Sequence, residues 1–173
     1  MRKILFMAII MVCSVCLSSV FVYGEEITGD TIELESVLAN EASLKVVVRI
    51  IKPPAGYPYT DTLLWGGDQI GEDEYELPET LIQSIDVRIN DKKIDVPLSA
   101  YQNIGGVDNV SIEITERGFI LIIMGYREGD MSYKSMLEFD THKILRKKVF
   151  LKVFPDEVWE ETFYSFHYID EDK

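Results

Sequence analysis

The chain has only two cysteines, Cys13 and Cys16, and both fall within its first 24 residues. Beyond residue 24 the chain can form no disulfide, offers no thiol nucleophile and supplies no cysteine ligand to a metal. Histidine is as scarce, with His142 and His167 the only two. Serine-type catalysis needs a general base beside an activated hydroxyl, and that base is usually histidine. His142 sits in DTHK, which predicts a turn, His167 lies at the end of the last strand, and no GxSxG elbow is present. Zinc chemistry asks for more nitrogen or sulfur ligands than these two provide. No metal and no cofactor is expected.

Positive charge is the third shortage. Seventeen Lys and Arg stand against thirty Asp and Glu, for a net charge of −13. Phosphate backbones and anionic lipid surfaces are bound mainly by Lys and Arg, so nucleic acid is the least expected partner. The acidity serves solubility, and it can also steer a cationic partner.

One long apolar run is present, from Ile4 to Val22 behind Arg2 and Lys3. That is the layout of a secretory signal peptide, with Val22 and Gly24 as the small residues before a cleavage site, and it predicts a mature start at Glu25. The weaker alternatives are an uncleaved anchor, since the run is nearly long enough to span a bilayer, and a lipid on Cys13 or Cys16, disfavoured because valine precedes both cysteines. The expected product is secreted or periplasmic, with no membrane insertion of the mature domain. Residues 25–173 are enough for one domain held by its core alone.

The patterning of that domain is β. Thr31 to Leu44 fits either a strand with Ile32 and Leu34 on one face or a short helix. LKVVVRII, Leu44 to Ile51, is a strand with Leu44, Val46, Val48 and Ile50 on one side, stopped by PPAGYPYT. Lys52 to Glu79 reads as two long loops. Ile85, Val87 and Ile89 then alternate into the turn NDKK, and Ile94, Val96 and Leu98 return, near an edge because of Pro97. A single helical turn is expected after Ser99, ended by Gly105 and Gly106. VSIEI pairs with FILIIM across TERG, and the doubly apolar FILIIM should be a central strand covered on both sides. SYKSMLEF pairs with ILRKKVFLKVF, where Leu145, Val149, Leu151 and Val153 share one face and Arg146, Lys148 and Lys152 the other. The whole predicts an all-β fold, a single antiparallel β-sandwich or open barrel of sequential hairpins, with at most one or two short helical turns.

The last stretch, VWEETFYSFHY, divides with period two. Glu160, Thr162, Tyr164, Phe166 and Tyr168 form one face, and Trp159, Glu161, Phe163, Ser165 and His167 the other. The first predicts the core side, with Tyr164 and Phe166 buried. Glu161 and Ser165 should face water.

Two loop features remain as candidates. Asp68, Glu72, Asp73, Glu74 and Glu76 offer hard oxygen ligands among glycines, but their spacing does not match a D-x-D-x-D-G calcium loop, so a solvated acidic loop is expected. Tyr57, Tyr59 and Trp65 flank this segment, and such rings anchor interfaces or stack on sugars. The partner-binding set is therefore Tyr57, Tyr59, Trp65, Asp68, Glu72, Asp73 and Glu74, with Trp65 the most buried of the rings. The functional expectation is an exported, acidic, non-catalytic binding protein of a bacterial-type cell envelope, with a protein or glycan partner such as a cationic protein that it captures or inhibits. The alternative is a carboxylate-based hydrolase of envelope polysaccharide, since acid and base pairs are easily found among so many carboxylates.

Overall fold

The computed structural model describes residues 21–22, 31–37, 42–55, 64–69, 75–125 and 132–165. Twelve strands and one 3-10 turn are found among them, and all strand pairings are antiparallel. One sheet has four strands, in the order β2 (Thr31–Val37), β3 (Ser43–Ile51), β6 (Leu81–Ile89) and β7 (Lys92–Ile94). The other runs β8 (Val107–Thr115), β9 (Gly118–Gly125), β10 (Tyr133–Phe139), β11 (Ile144–Leu151) and β12 (Val158–Phe163), with the two-residue β1 (Phe21–Val22) along the free side of β8. A two-residue pair, β4 (Asp68–Gln69) with β5 (Tyr75–Glu76), stands apart. The two large sheets contribute to one shared apolar core, the arrangement of a β-sandwich.

The segment that fits strand or helix by pattern is a strand: Ile32 and Leu34 are buried while Glu33 and Glu35 face out, the alternation of a half-covered sheet. β3 buries Leu44, Val46, Val48 and Ile50. β6 keeps Ile82, Ile85, Val87 and Ile89 inside although Ile82 and Ile85 are three apart, because an irregularity opposite Arg49 and Ile50 resets the register. Asn90 and Asp91, at φ 48° and 64°, make the two-residue turn into β7. Two adjacent left-handed residues match the twist of a hairpin, and Asn and Asp tolerate that region. The return strand is shorter than expected. It ends at Ile94, and the exposed Leu98 opens the 3-10 turn Leu98–Ala100, whose N-cap position is held by Pro97, with no side-chain cap, and Ser99 lies inside the turn.

β9 lies between β8 and β10 as a central strand, with Phe119, Leu121 and Ile123 in the core. Its other face is covered only in part, since Ile122 is buried but Ile120 and Met124 are half-exposed. β11 departs from simple alternation at its start. A bulge sets Ile144 opposite Phe139 and Arg146 opposite Glu138, so Ile144 takes the core position expected for Leu145. Val153, expected inside, is exposed, because the strand stops at Leu151 and Pro155 lies in the adjoining turn.

On the outer face of the four-stranded sheet, Arg49 donates to Asp86 Oδ2 at 2.8 Å, and Lys93 Nζ is 3.6 Å from Asp86 Oδ1. The Arg49 hydrogen bond holds the Asp86 carboxyl below its ordinary 3.8. A depressed folded value gives stability that is present above the unfolded value and lost as pH falls through the folded one. The pair is open to solvent, so its contribution is under about 1 kcal/mol. The stability difference between the parent protein and Asp86→Asn, read from urea midpoints, should shrink as the pH is lowered from about 5 to about 3.

Candidate functional site

Trp65 reaches the core through its backbone. Its N–H donates to the Asn103 carbonyl at 2.9 Å, and the Gly105 N–H donates to the Trp65 carbonyl at 2.9 Å. Gly66 then turns away at φ 89°, and a Cβ there would lie 2.2 Å from the Gly105 oxygen, so only glycine lets the two segments lie this close. On its other side, residues 104–106 are fixed by Ile82 N–H to Ile104 O and Gly106 N–H to Thr80 O. The Tyr133 hydroxyl also donates to Gly105 O at 2.6 Å, and burial pushes that phenol up. Asn103 is thereby held at a set position beside β11 and β12.

There it meets two charges. Lys147 lies on the inward face of β11, paired with Leu137 and Thr162 on the neighbouring strands, and its side chain is 0 % exposed. Its Nζ donates to Asn103 Oδ1 at 2.5 Å and to Glu160 Oε1 at 2.7 Å. Glu160 Oε2 accepts from Trp65 Nε1 at 2.7 Å and from Asn103 Nδ2 at 3.0 Å. A lysine is almost never fully buried unless it is paired, and here its two partners, Asn103 and Glu160, come from separate parts of the chain. Burial pulls the Lys147 ammonium below its ordinary value, opposed by the bond to Glu160. Burial alone would raise Glu160, but the donors from Lys147, Trp65 and Asn103 outweigh it and hold the carboxyl below its ordinary value. Both Glu160 oxygens are engaged, Oε1 by Lys147 and Oε2 by Trp65 and Asn103.

The opposite face of the same strands is different. Val153, Phe154, Val158, Trp159 and Phe163 are all exposed, Trp159 at 53 % and Phe163 at 70 %. Phe154 and Trp159 stack with centroids 6.4 Å apart. Arg146 lies 5.8 Å from the Phe163 ring centroid, donates from Nη2 to both Glu138 oxygens at 2.6 and 2.8 Å, and reaches Glu161 at 3.3 Å. A cavity of about 240 Å³ opens nearby, lined by Met124, Met136, Phe150 and Pro155, with Lys134 and Lys152 also in its wall.

The period-two division of the last strand holds over the described residues. Glu160, Thr162 and Tyr164 are partly covered, with Tyr164 packed on the core, while Trp159, Glu161, Phe163 and Ser165 face out. Phe166, His167 and Tyr168 lie outside the described residues. Of the candidate contact set, Trp65 is 4 % exposed and its ring lies 5.9 Å from that of Tyr133, so it serves the core instead of a contact surface. Asp68 falls in β4, and Tyr57, Tyr59, Glu72, Asp73 and Glu74 lie outside the described residues. Lys147 and Asn103 are absent from that set. Strict alternation from Val149 puts Lys147 on the apolar face of β11, which is the one sequence signal that could have found it. Comparison with protein-family models, with curated proteins and with solved structures yields no match.

Proposed function

We propose that this is an exported, non-catalytic binding protein of the cell envelope that engages a protein partner through the outer surface of β12 and the turn before it. The exposed rings of Phe154 and Trp159, stacked on each other, and of Phe163 further along β12 carry this reading. Soluble chains leave single apolar side chains exposed without consequence, but several exposed rings along one strand and its entry turn, with charged side chains beside them, fit the anatomy of a contact surface. Trp and Arg are enriched where binding energy concentrates, and Arg146 borders the rings here. The neighbouring cavity has room for one apolar side chain of a partner. The net charge of −13 supports attraction of a cationic protein at long range, with the rings supplying the short-range contact. No helix among the described residues is long and apolar enough to cross a membrane.

The test is capture from an envelope extract of the native host, using the parent protein and Trp159→Ala/Phe163→Ala. Loss of a central anchor typically costs about 2 kcal/mol or more, so captured partner should fall by at least about tenfold. The melting temperature should hardly change, because both rings are already in solvent. Capture that survives this change but is lost on neutralising Asp68, Glu72, Asp73 and Glu74 would move the contact to the acidic loop.

A further inference from the structure

The Lys147, Asn103 and Glu160 side chains have an arrangement that a mere ion pair does not need. We propose that Lys147 and Asn103 condense into an intramolecular amide inside the folded domain, with Glu160 as the proton carrier. Lys147 Nζ lies 2.5 Å from Asn103 Oδ1. With an ordinary carbonyl bond length this puts the carboxamide carbon about 2.8 to 3.7 Å from the amine, and because the amine now faces the carbonyl oxygen, attack requires the carboxamide to rotate about its Cβ–Cγ bond until its flat face meets Nζ. The two Glu160 oxygens divide between the reacting groups, Oε1 on the attacking nitrogen and Oε2 on the nitrogen that would leave. Trp65 Nε1 fixes the carboxylate in that position.

The step balances without any co-reactant. Glu160 takes a proton from the Lys147 ammonium, and the free amine attacks Asn103 Cγ. The Nζ–Cγ bond forms, the Cγ–Nδ2 bond breaks, and Nδ2 leaves as ammonia with a proton delivered through Glu160. The amide nitrogen keeps one hydrogen, and Glu160 ends as a neutral carboxylic acid. Nothing is oxidised or reduced. Full burial of Lys147 favours the neutral amine that the attack requires and keeps competing water away. The product also removes a buried charge pair, which a low-dielectric interior holds only at a desolvation cost. The bond would tie β11 to the segment before β8 in a chain whose cysteines all lie in its first 24 residues, so it would do in this exported domain what disulfides do elsewhere.

Mass spectrometry of the purified, folded full chain tests this. The expected mass is that of the sequence less one ammonia, allowing for any leader removal read from the same spectrum. A tryptic digest should contain one branched peptide joining the Asn103 and Lys147 segments, with no cleavage after Lys147. Lys147→Arg and Glu160→Ala should each show the full sequence mass. Folded parent protein with no ammonia lost, and with ordinary tryptic cleavage at Lys147 after denaturation, would overturn the proposal. An ammonia loss that persists in Lys147→Arg would also overturn it, because the bond would then lie elsewhere. The parent spectrum alone decides the matter if either variant fails to fold.

Discussion

Glu160→Ala is expected to lower the stability of the folded protein by at least about 3 to 5 kcal/mol, the usual loss when one member of a buried ion pair is removed. The substitution leaves Lys147, with 0 % side-chain exposure, without its carboxylate, and it orphans the indole N–H of Trp65. The pair itself need not be strongly stabilising for this to hold. Taking both charges away should hurt less than the sum of the single changes. Lys147→Met/Glu160→Gln keeps one acceptor oxygen for Trp65 and Asn103 and removes both charges, and its non-additivity should be on the order of 0.5 to 3 kcal/mol. Urea denaturation of the four proteins in the cycle measures this. Strict additivity would mean that Lys147 and Glu160 do not meet.

Phe139→Ala should cost a comparable amount, about 3 to 5 kcal/mol, for a different reason. Phe119 and Phe139 are cross-strand partners on β9 and β10, both 1 % exposed, with rings stacked at 4.9 Å and 5°. Removing one ring leaves a void that its rigid β neighbours cannot close, and it ends the ring pairing as well. Phe163→Ala, at the exposed edge strand, should change stability by under about 0.5 kcal/mol. Equal losses at the two positions would mean that the outer face of β12 is packed against something.

The sheets are legible because their signal is local. Ile32 and Leu34, the series from Leu44 to Ile50, and the alternation in β12 each announce a half-covered strand within a few residues. The departures at Leu98, Leu145 and Val153 share a cause. Each lies where a strand ends or bulges, and period two carries no mark of where it stops applying. Of the interior cluster, periodicity alone places Glu160 on the correct face. Its meeting with Lys147, Asn103 and Trp65 is not legible, since these residues are 13, 57 and 95 positions away and are joined only by tertiary packing. Lys147 is also masked by chemistry, because lysine on an apolar face reads as an interruption until its partners are known. The aromatic surface is half legible: alternation assigns Trp159 and Phe163 to the mixed face, but their exposure depends on β12 being the last strand of its sheet among the described residues.

The chain carries two tryptophans, one on each side of the division between sealed core and open contact face. Trp65 is buried in the core against Glu160, and Trp159 stands open on the contact face. Fluorescence quenching by a neutral solute in Trp65→Phe and Trp159→Phe reads each ring alone. In the folded protein, the Trp159 signal of Trp65→Phe should be quenched nearly as readily as in the denatured chain, while the Trp65 signal of Trp159→Phe should be strongly protected. A Trp159 as protected as Trp65 in the isolated monomer would show that the chain covers this surface itself, and would contradict its assignment as the contact face.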